Sequence, residues 1–337
     1  MLEEIRKQIN GIRVHRPLTY RNLSVFPLRY GVEGELGYLT LGEALHLGRG
    51  KFAIREVSGS GSVPELLVVN GLDKAVLILE GEELIGAKQN RVPNLTLLVP
   101  AGHEVRLPVS CVEAGRWSYA TPEFSEAPRT QFASGRARKV ESVSISMRHA
   151  GTRHSDQGGV WQDIADKAAC LGSLSPTSAM SDMYHDAQPQ LEDYAGALHA
   201  ATRYAHGAAF AVGSRIAGMD LFDQPTTCGK LGAKVLAGYA LEALSEPADR
   251  AFSVPTVGSV KRLLADLGSG EIRSYPALGA GSDLRFTGRD CVGGGLLVDG
   301  TLLHLAAFPA KRATMGPGRS TSDRARRYGG PGSSQAA

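Results

Sequence analysis

The sequence predicts an α+β fold: an antiparallel, β-rich N-terminal half, central helices, and a mixed C-terminal region that ends in a β-hairpin before a basic tail. Three observations predict it. Short apolar runs separated by turn residues fill Phe52 to Glu113, as paired strands require. From Gly159 to about Leu198 the chain is rich in Ala and poor in β-branched residues, which favours helix. Near the C-terminus two apolar runs flank Asp299-Gly300, a pair suited to the positive φ angles of a type I′ turn.

The elements follow in chain order. Residues 1–17 hold a short amphipathic helix, with Leu2, Ile5 and Ile9 at helical spacing. A β-rich half spans 18–117. It opens with a strand at Leu23 to Pro27, and Thr40 with Glu43 three residues on forms a capping box for a helix that stops at Gly48. Strands are then expected at Phe52 to Val57, Leu66 to Asn70, Val76 to Leu79, Leu95 to Val99 and Glu104 to Val112, joined as an antiparallel meander. Both parities of Val76 to Leu79 are apolar, which places that strand centrally with both faces covered. Pro108 and the polar neighbours of Val105, Leu107 and Val109 place theirs nearer an edge.

Residues 118–158 shift toward Ser, Arg, Gly and Pro and read as a long connection, with one strand over Val143, Ile145 and Met147. An α+β half spans 159–310 and packs with the first as one domain. Its helices begin at Gly159, the second starting near Pro176 or Thr177. Ala208 to Asp220 reads as strand, Thr226 to Leu244 and Val257 to Leu267 as helices, and Gly295 to Val298 with Thr301 to Phe308 as the closing hairpin.

The balance of 42% hydrophobic and 21% charged residues is that of an ordinary globular chain. No apolar run approaches the roughly 20 residues of a membrane span, and the N-terminus has no apolar signal core. A cytoplasmic protein without membrane contact is expected. The net charge of +3 is misleading, because residues 311–337 hold six basic side chains against Asp323, a balance of +5. The rest is therefore −2, which argues against specific nucleic-acid binding by the folded body. The tail has few apolar groups to offset its ordering entropy and is expected to be disordered. Cys111, Cys170, Cys228 and Cys291 are too widely spaced for a zinc or redox motif, and the nine histidines form no H-x-x-x-H pair on a predicted helix. No metal site is predicted and no cofactor is indicated. Complete dinucleotide, P-loop and nucleophile-elbow motifs do not occur.

Candidate chemistry concentrates between Glu80 and Trp117. The run Glu80 to Arg91 packs Glu80, Glu82, Glu83, Lys88, Gln89, Asn90 and Arg91 just beyond a buried strand. Carboxylates there suit general acid or base work or a hard cation held through oxygen, and Lys88 and Arg91 suit phosphate. The alternative is a solvated hairpin tip whose charges neutralise one another. In the second block Glu113 continues the apolar parity of Val109 and Cys111, so burial would demand a cationic partner from Arg116, Arg91 or Lys88. Cys111 is a candidate nucleophile with His103 as its base if the two face each other across paired strands; the alternative is a small buried hydrophobe. Trp117 is either a core anchor or a platform for a base. Gln157, Trp161 and Asp163 open the helical region and read more simply as a helix start than as a site.

Gly81-Glu82-Glu83, Gly86 to Arg91, Val109 to Glu113 and Gly115-Arg116-Trp117 together resemble the ARG and Rhodanese-Phosphatase-superfamily-associated Protein domain family, a domain of unknown function. The resemblance extends through Gln157, Trp161, Asp220 to Asp223 and the closing hairpin with His304, about residues 18 to 310. It implies, by the association in the family's name, a setting of ADP-ribosylglycohydrolases and rhodanese-phosphatases. On that footing the ligand is an ADP-ribose-like or other NAD-derived nucleotide, bound or hydrolysed, and the partners are ADP-ribose-processing proteins. Lys88 and Arg91 would then hold a diphosphate, Gln89 and Asn90 would meet ribose hydroxyls, and Glu82 or Glu113 would activate water. Glu83, Arg116 and Trp117 would complete the cleft. The competing expectation is a non-catalytic binding or scaffold module in which the same residues form a salt-bridge network or a partner surface.

Overall fold

The computed structural model describes residues 1–31, 34, 36–48, 50–58, 64–246 and 251–310. Its largest unit is an antiparallel sheet, taken here from one edge to the other. It starts with Arg13–Val14 and Leu23–Arg29, continues with Gly207–Val212, Arg215–Phe222, Thr301–Pro309 and Cys291–Val298, and ends with Ser282–Thr287 and Glu271–Pro276; Leu18–Tyr20 also pairs with Leu23–Arg29. Side chains alternate across a strand, and both faces of this sheet are buried. Val25 and Phe210 enter a core beneath the helix Pro225–Leu244, whereas Phe26 and Ala209 enter a second core with Ile5, Ile9 and Leu264. The N-terminal helix Leu2–Asn10 is thus docked on the helix Val257–Ser269 through Ile5 and Ile9, while Leu2 is exposed.

Two smaller sheets complete the fold. Leu97–Val99, Ala75–Ile78 and Tyr38–Thr40 form one. The other runs Phe124–Thr130, Glu82–Gly86, Arg91–Pro93, His103–Cys111, Glu65–Asn70, Phe52–Glu56. The expected simple meander is corrected here, because its strands divide between the two sheets: Ala75–Ile78 pairs with Leu97–Val99 and lies parallel to Tyr38–Thr40, whereas Glu65–Asn70 pairs with Phe52–Glu56 and His103–Cys111. The double apolar parity of Val76 to Leu79 has a clear cause: Leu77 and Leu79 enter the core of the large sheet, and Val76 and Ile78 enter that of the smaller ones. The strand His103–Cys111 is central, not near an edge. It changes partner along its length, pairing with Glu65–Asn70 through Pro108 and with Arg91–Pro93 from Val109 onward. Pro108 is tolerated where one partner gives way to the next, and its carbonyl accepts from the Asn94 N–H at 2.9 Å.

Elsewhere the capping box at Thr40 and Glu43 is present and the helix Leu41–Leu47 ends before Gly48. The closing turn is also as expected, with φ of 49° at Asp299 and 81° at Gly300. The expected strand over Val143 to Met147 is not formed: Ala133–Ala150 is one helix, preceded by the strand Phe124–Thr130. Its buried face includes Arg136 and Lys139, so the helical period is written partly in charged residues and an apolar count misses it. Ala208 to Asp220 resolves into two strands turning at Gly213. The second central helix starts at Met180. The predicted tail, 311–337, lies outside the described residues.

Candidate functional site

The segment from Glu80 to Arg91 is not a solvated tip. Glu80, Glu82, Glu83, Lys88, Gln89, Asn90 and Arg91 are all buried. The chain leaves Leu79, forms Glu82–Gly86, reverses, and returns as Arg91–Pro93, with Leu84 opposite Arg91. The reversal uses left-handed backbone at Gly86, φ 131°, and at Ala87, φ 39°. A Cβ at Gly86 would stand 2.7 Å from the Glu123 carbonyl oxygen, so glycine is needed there for packing as well as for φ.

The strand register joins the two sequence blocks. Cys111 is the direct partner of Arg91, and paired residues put their side chains on one face. Beyond the strand, the Asn90 N–H donates to Glu113 Oε2 at 3.1 Å. Arg116 grips Glu113 with Nε at 2.9 Å and Nη2 at 2.6 Å, and its Nη1 donates to the Ala87 and Ser118 carbonyls. Thr177 Oγ1 donates to Glu113 Oε1 at 2.9 Å. Burial raises the Glu113 carboxyl, but these hydrogen bonds outweigh it and hold the group below its ordinary value. Arg116 is therefore the cation that a buried Glu113 demands.

Arg91 has a different environment. Its side chain is 0% exposed, Nη1 donates to Gln89 Oε1 at 2.6 Å, and Nε and Nη2 have no hydrogen-bond partner. The guanidinium carbon lies 5.5 Å from the centre of the Trp117 ring. Lys88 Nζ is 5.2 Å from the Trp117 ring centre and equally far from that of Tyr119. Trp117 and Tyr119 are 47% and 51% exposed, so they cap the cations on one side and meet solvent on the other. Burial lowers the Arg91 pKa, and the neighbouring Cys111 and Glu56 oppose the shift. Burial likewise pushes the Cys111 thiol up to about 11, against the pull of Arg91, so it is a neutral thiol at physiological pH. His103, offered as its base, sits exposed at the far end of the same strand. Gln157 instead clamps the Cys111 backbone, accepting from its N–H at 2.8 Å and donating to its carbonyl at 2.9 Å.

Glu82 and Glu83 leave their strand in opposite directions. Glu82 meets Lys234 of the helix Pro225–Leu244, which also binds Glu126. Glu83 meets Arg129, with Asn90 Nδ2 at 3.5 Å. Burial raises both carboxyls despite these cations. The structure thus gathers Lys88, Gln89, Asn90, Arg91, Cys111, Glu113, Arg116 and Trp117, keeps Glu83 at the margin through Asn90, and sends Glu82 elsewhere.

A second polar cluster was missed in the sequence. Arg136 donates from Nη1 and Nη2 to Asp220 at 3.0 and 2.6 Å and from Nε to Glu80 at 3.0 Å. Lys139 Nζ pairs with Glu80 at 2.8 Å and donates to the Pro93 carbonyl at 2.7 Å. His304 Nε2 lies 3.3 Å from Asp220 and its Nδ1 lies 2.8 Å from Thr96 Oγ1. Glu80 stands in the first sequence block and Asp220 and His304 among the residues of the family resemblance, but the cations that join them, Arg136 and Lys139 at i,i+3, lie in a stretch expected to be a connection. A cleft of about 760 Å³ opens elsewhere, over Ala133 and Val292. It contains none of the residues between Glu80 and Trp117, and its cations are paired within it: Arg138 with Asp163, Lys167 with Glu242, Arg215 with Glu246. Among the described residues no group of three or more His, Cys, Asp or Glu is arranged to hold a metal ion.

The sequence profile of the ARG and Rhodanese-Phosphatase-superfamily-associated Protein domain matches residues 11–308. The chain belongs to this family. Neither a curated protein nor a solved structure matches it. The family's domain covers the large sheet, the smaller sheets and both polar clusters, and ends one residue short of the last described strand's end at Pro309. Among the described residues no helix is long and apolar enough to cross a membrane.

Proposed function

We propose that this protein binds an anionic ligand carrying a flat ring, seated against Arg91 and Lys88 under Trp117 and Tyr119. One observation carries the reading: Arg91 is fully buried with two guanidinium nitrogens unpartnered, whereas Arg116 is paired with Glu113, Arg136 with Glu80 and Asp220, and the one Glu80 oxygen without a hydrogen bond, Oε1, has Lys139 Nζ at 2.8 Å. A buried guanidinium left short of acceptors costs free energy that a bound anion returns. Its free Nε and Nη2 offer the two-pronged geometry that phosphate and carboxylate oxygens accept. The half-exposed Trp117 and Tyr119 suit stacking on a base. Gln89 fixes the guanidinium, and Asn90, Glu113 and Arg116 fix the loop that carries it. The family's name points to ADP-ribose and other NAD-derived nucleotides as the class to try first. Burial disfavours the Cys111 thiolate that a nucleophilic attack on such a ligand would need.

Isothermal titration of the full chain with ADP-ribose, ADP and NAD tests the reading. Wild type should bind at least one of them, Arg91→Ala should weaken that binding by about tenfold or more, and Trp117→Ala by roughly 1–3 kcal/mol. Equal binding by wild type and Arg91→Ala would remove its basis. A second reading, the non-catalytic scaffold, is favoured by the complete pairing of Glu82, Glu83 and Glu113. On that reading no nucleotide binds, and Glu82→Gln lowers stability alone.

A further inference from the structure

Glu56 closes the strand Phe52–Glu56, outside both sequence blocks that make up the site. Its carboxylate is buried, Oε1 accepts from the Lys88 N–H at 3.4 Å, and Oε2 has no hydrogen-bond partner. Glu56 lies near enough to Arg91 for its charge to act on the guanidinium, yet among the described residues no ion pair joins them. Two buried opposite charges, each with unmet hydrogen-bonding atoms, gain by meeting. They stand on different strands. Arg91 is fixed opposite Cys111, and Glu56 is fixed opposite Leu66, which is itself opposite Leu107 two pairs before the strand changes partner. Their backbones are thus fixed on different strands, and a group that joins the two side chains must accept from Arg91 and donate to Glu56.

That requirement narrows the ligand. A phosphodiester has acceptors only and carries the same sign of charge as Glu56, so it can satisfy Arg91 but not both residues. A sugar hydroxyl does what phosphate cannot, because its O–H donates while an oxygen beside it accepts. We infer that Glu56 is a specificity-determining residue that reads a ribose hydroxyl of the ligand through Oε2, while a phosphate oxygen of the same ligand accepts from Arg91. The inference rests on the anion-binding reading above and adds to it the demand for a hydroxylated sugar.

The test compares ADP with 2′,3′-dideoxy-ADP, and ADP-ribose as a third probe, by titration calorimetry on the full chain. Wild type should bind the hydroxylated nucleotide about tenfold or more tightly than the dideoxy form, since a site built to pair a hydroxyl rejects the analogue that lacks it. Glu56→Ala should bind the two forms alike, and Glu56→Gln, which keeps the size, should lose most of the discrimination and serves where the alanine variant unfolds. Equal affinity of wild type for both forms, or undiminished discrimination in a folded Glu56 variant, would overturn the inference and leave a bridging water as the occupant. Arg91→Ala separates the two levels. If it loses all probes while the Glu56 variants match wild type, only the role of Glu56 fails. If it binds every probe normally, or wild type binds none, the anion site itself is wrong and this inference goes with it.

Discussion

Arg136 and Arg91 are both buried guanidinium groups, and their surroundings make opposite demands on a substitution. Arg136 neutralises Glu80 and Asp220, so Arg136→Leu leaves carboxylates uncompensated and should cost roughly 3–5 kcal/mol in urea unfolding. Arg91→Leu removes a cation with two unmet donors and should cost much less, or stabilise. Similar losses for the two would contradict the distinction on which the ligand reading stands. The pH dependence has a definite sign. Burial raises the Glu80 and Asp220 carboxyls, but Lys139 and Arg136 for the first, and Arg136 and His304 for the second, hold both below their ordinary values. A carboxyl depressed by folding contributes stability that is present above its unfolded pKa of about 4 and is lost as pH falls through its folded value. The gap in stability between wild type and Arg136→Leu should therefore begin to narrow below about pH 4, and a gap that widens there would refute the assignment. At this scale the sequence was readable where a residue's partner was near in the chain. Arg116 with Glu113 could be foreseen at three positions' distance. Glu82 with Lys234 and Glu80 with Arg136 could not, because long-range ion pairs leave no mark on local spacing.

Elements were legible where backbone chemistry is local. The capping box at Thr40 and the Asp299-Gly300 turn each depend on two or three neighbouring residues, and both formed. Gly300 has φ of 81°, and nothing lies within 4 Å of where a Cβ would stand, so Gly300→Ala meets no clash and pays only for left-handed backbone. It should destabilise by roughly 1–2 kcal/mol; a neutral result in thermal unfolding would mean the turn relaxes to another type. The short strands Glu82–Gly86 and Arg91–Pro93 were hidden because their buried positions are charged, the charges being matched by Lys234, Arg129 and Gln89 from outside the strand. The helix Ala133–Ala150 was hidden for the same reason. Its inward face reads Ala133, Arg136, Lys139, Val140, Val143, Met147, a helical repeat once Arg136 and Lys139 are counted as inside. The candidate site itself was half legible: the two blocks converge as their composition suggested, but Glu56 belongs to neither and Glu82 turns away.

The whole molecule is closed by its first residues. Leu23–Arg29 pairs with Gly207–Val212 from Leu23 opposite Val212 to Leu28 opposite Gly207, and Ile5 and Ile9 pack with Leu264 and Leu267. Deleting residues 1–29 should strip the large sheet of an interior strand and yield chains that aggregate or elute as expanded species in size-exclusion chromatography. A compact, cooperative unfolding unit in that deletion would show that the N-terminal segment is dispensable. No local signal could announce this pairing, since the partners are about 180 positions apart and each strand looks complete by itself. The same arrangement has a consequence during synthesis. When Leu23–Arg29 leaves the ribosome, its principal neighbour has yet to be translated, and at about 5–20 residues per second that strand waits on the order of ten seconds or more with an open edge. Long-range pairing of this kind slows folding, so nascent chains of this protein should be clients of the cell's early-acting chaperones for as long as that edge stands unpaired.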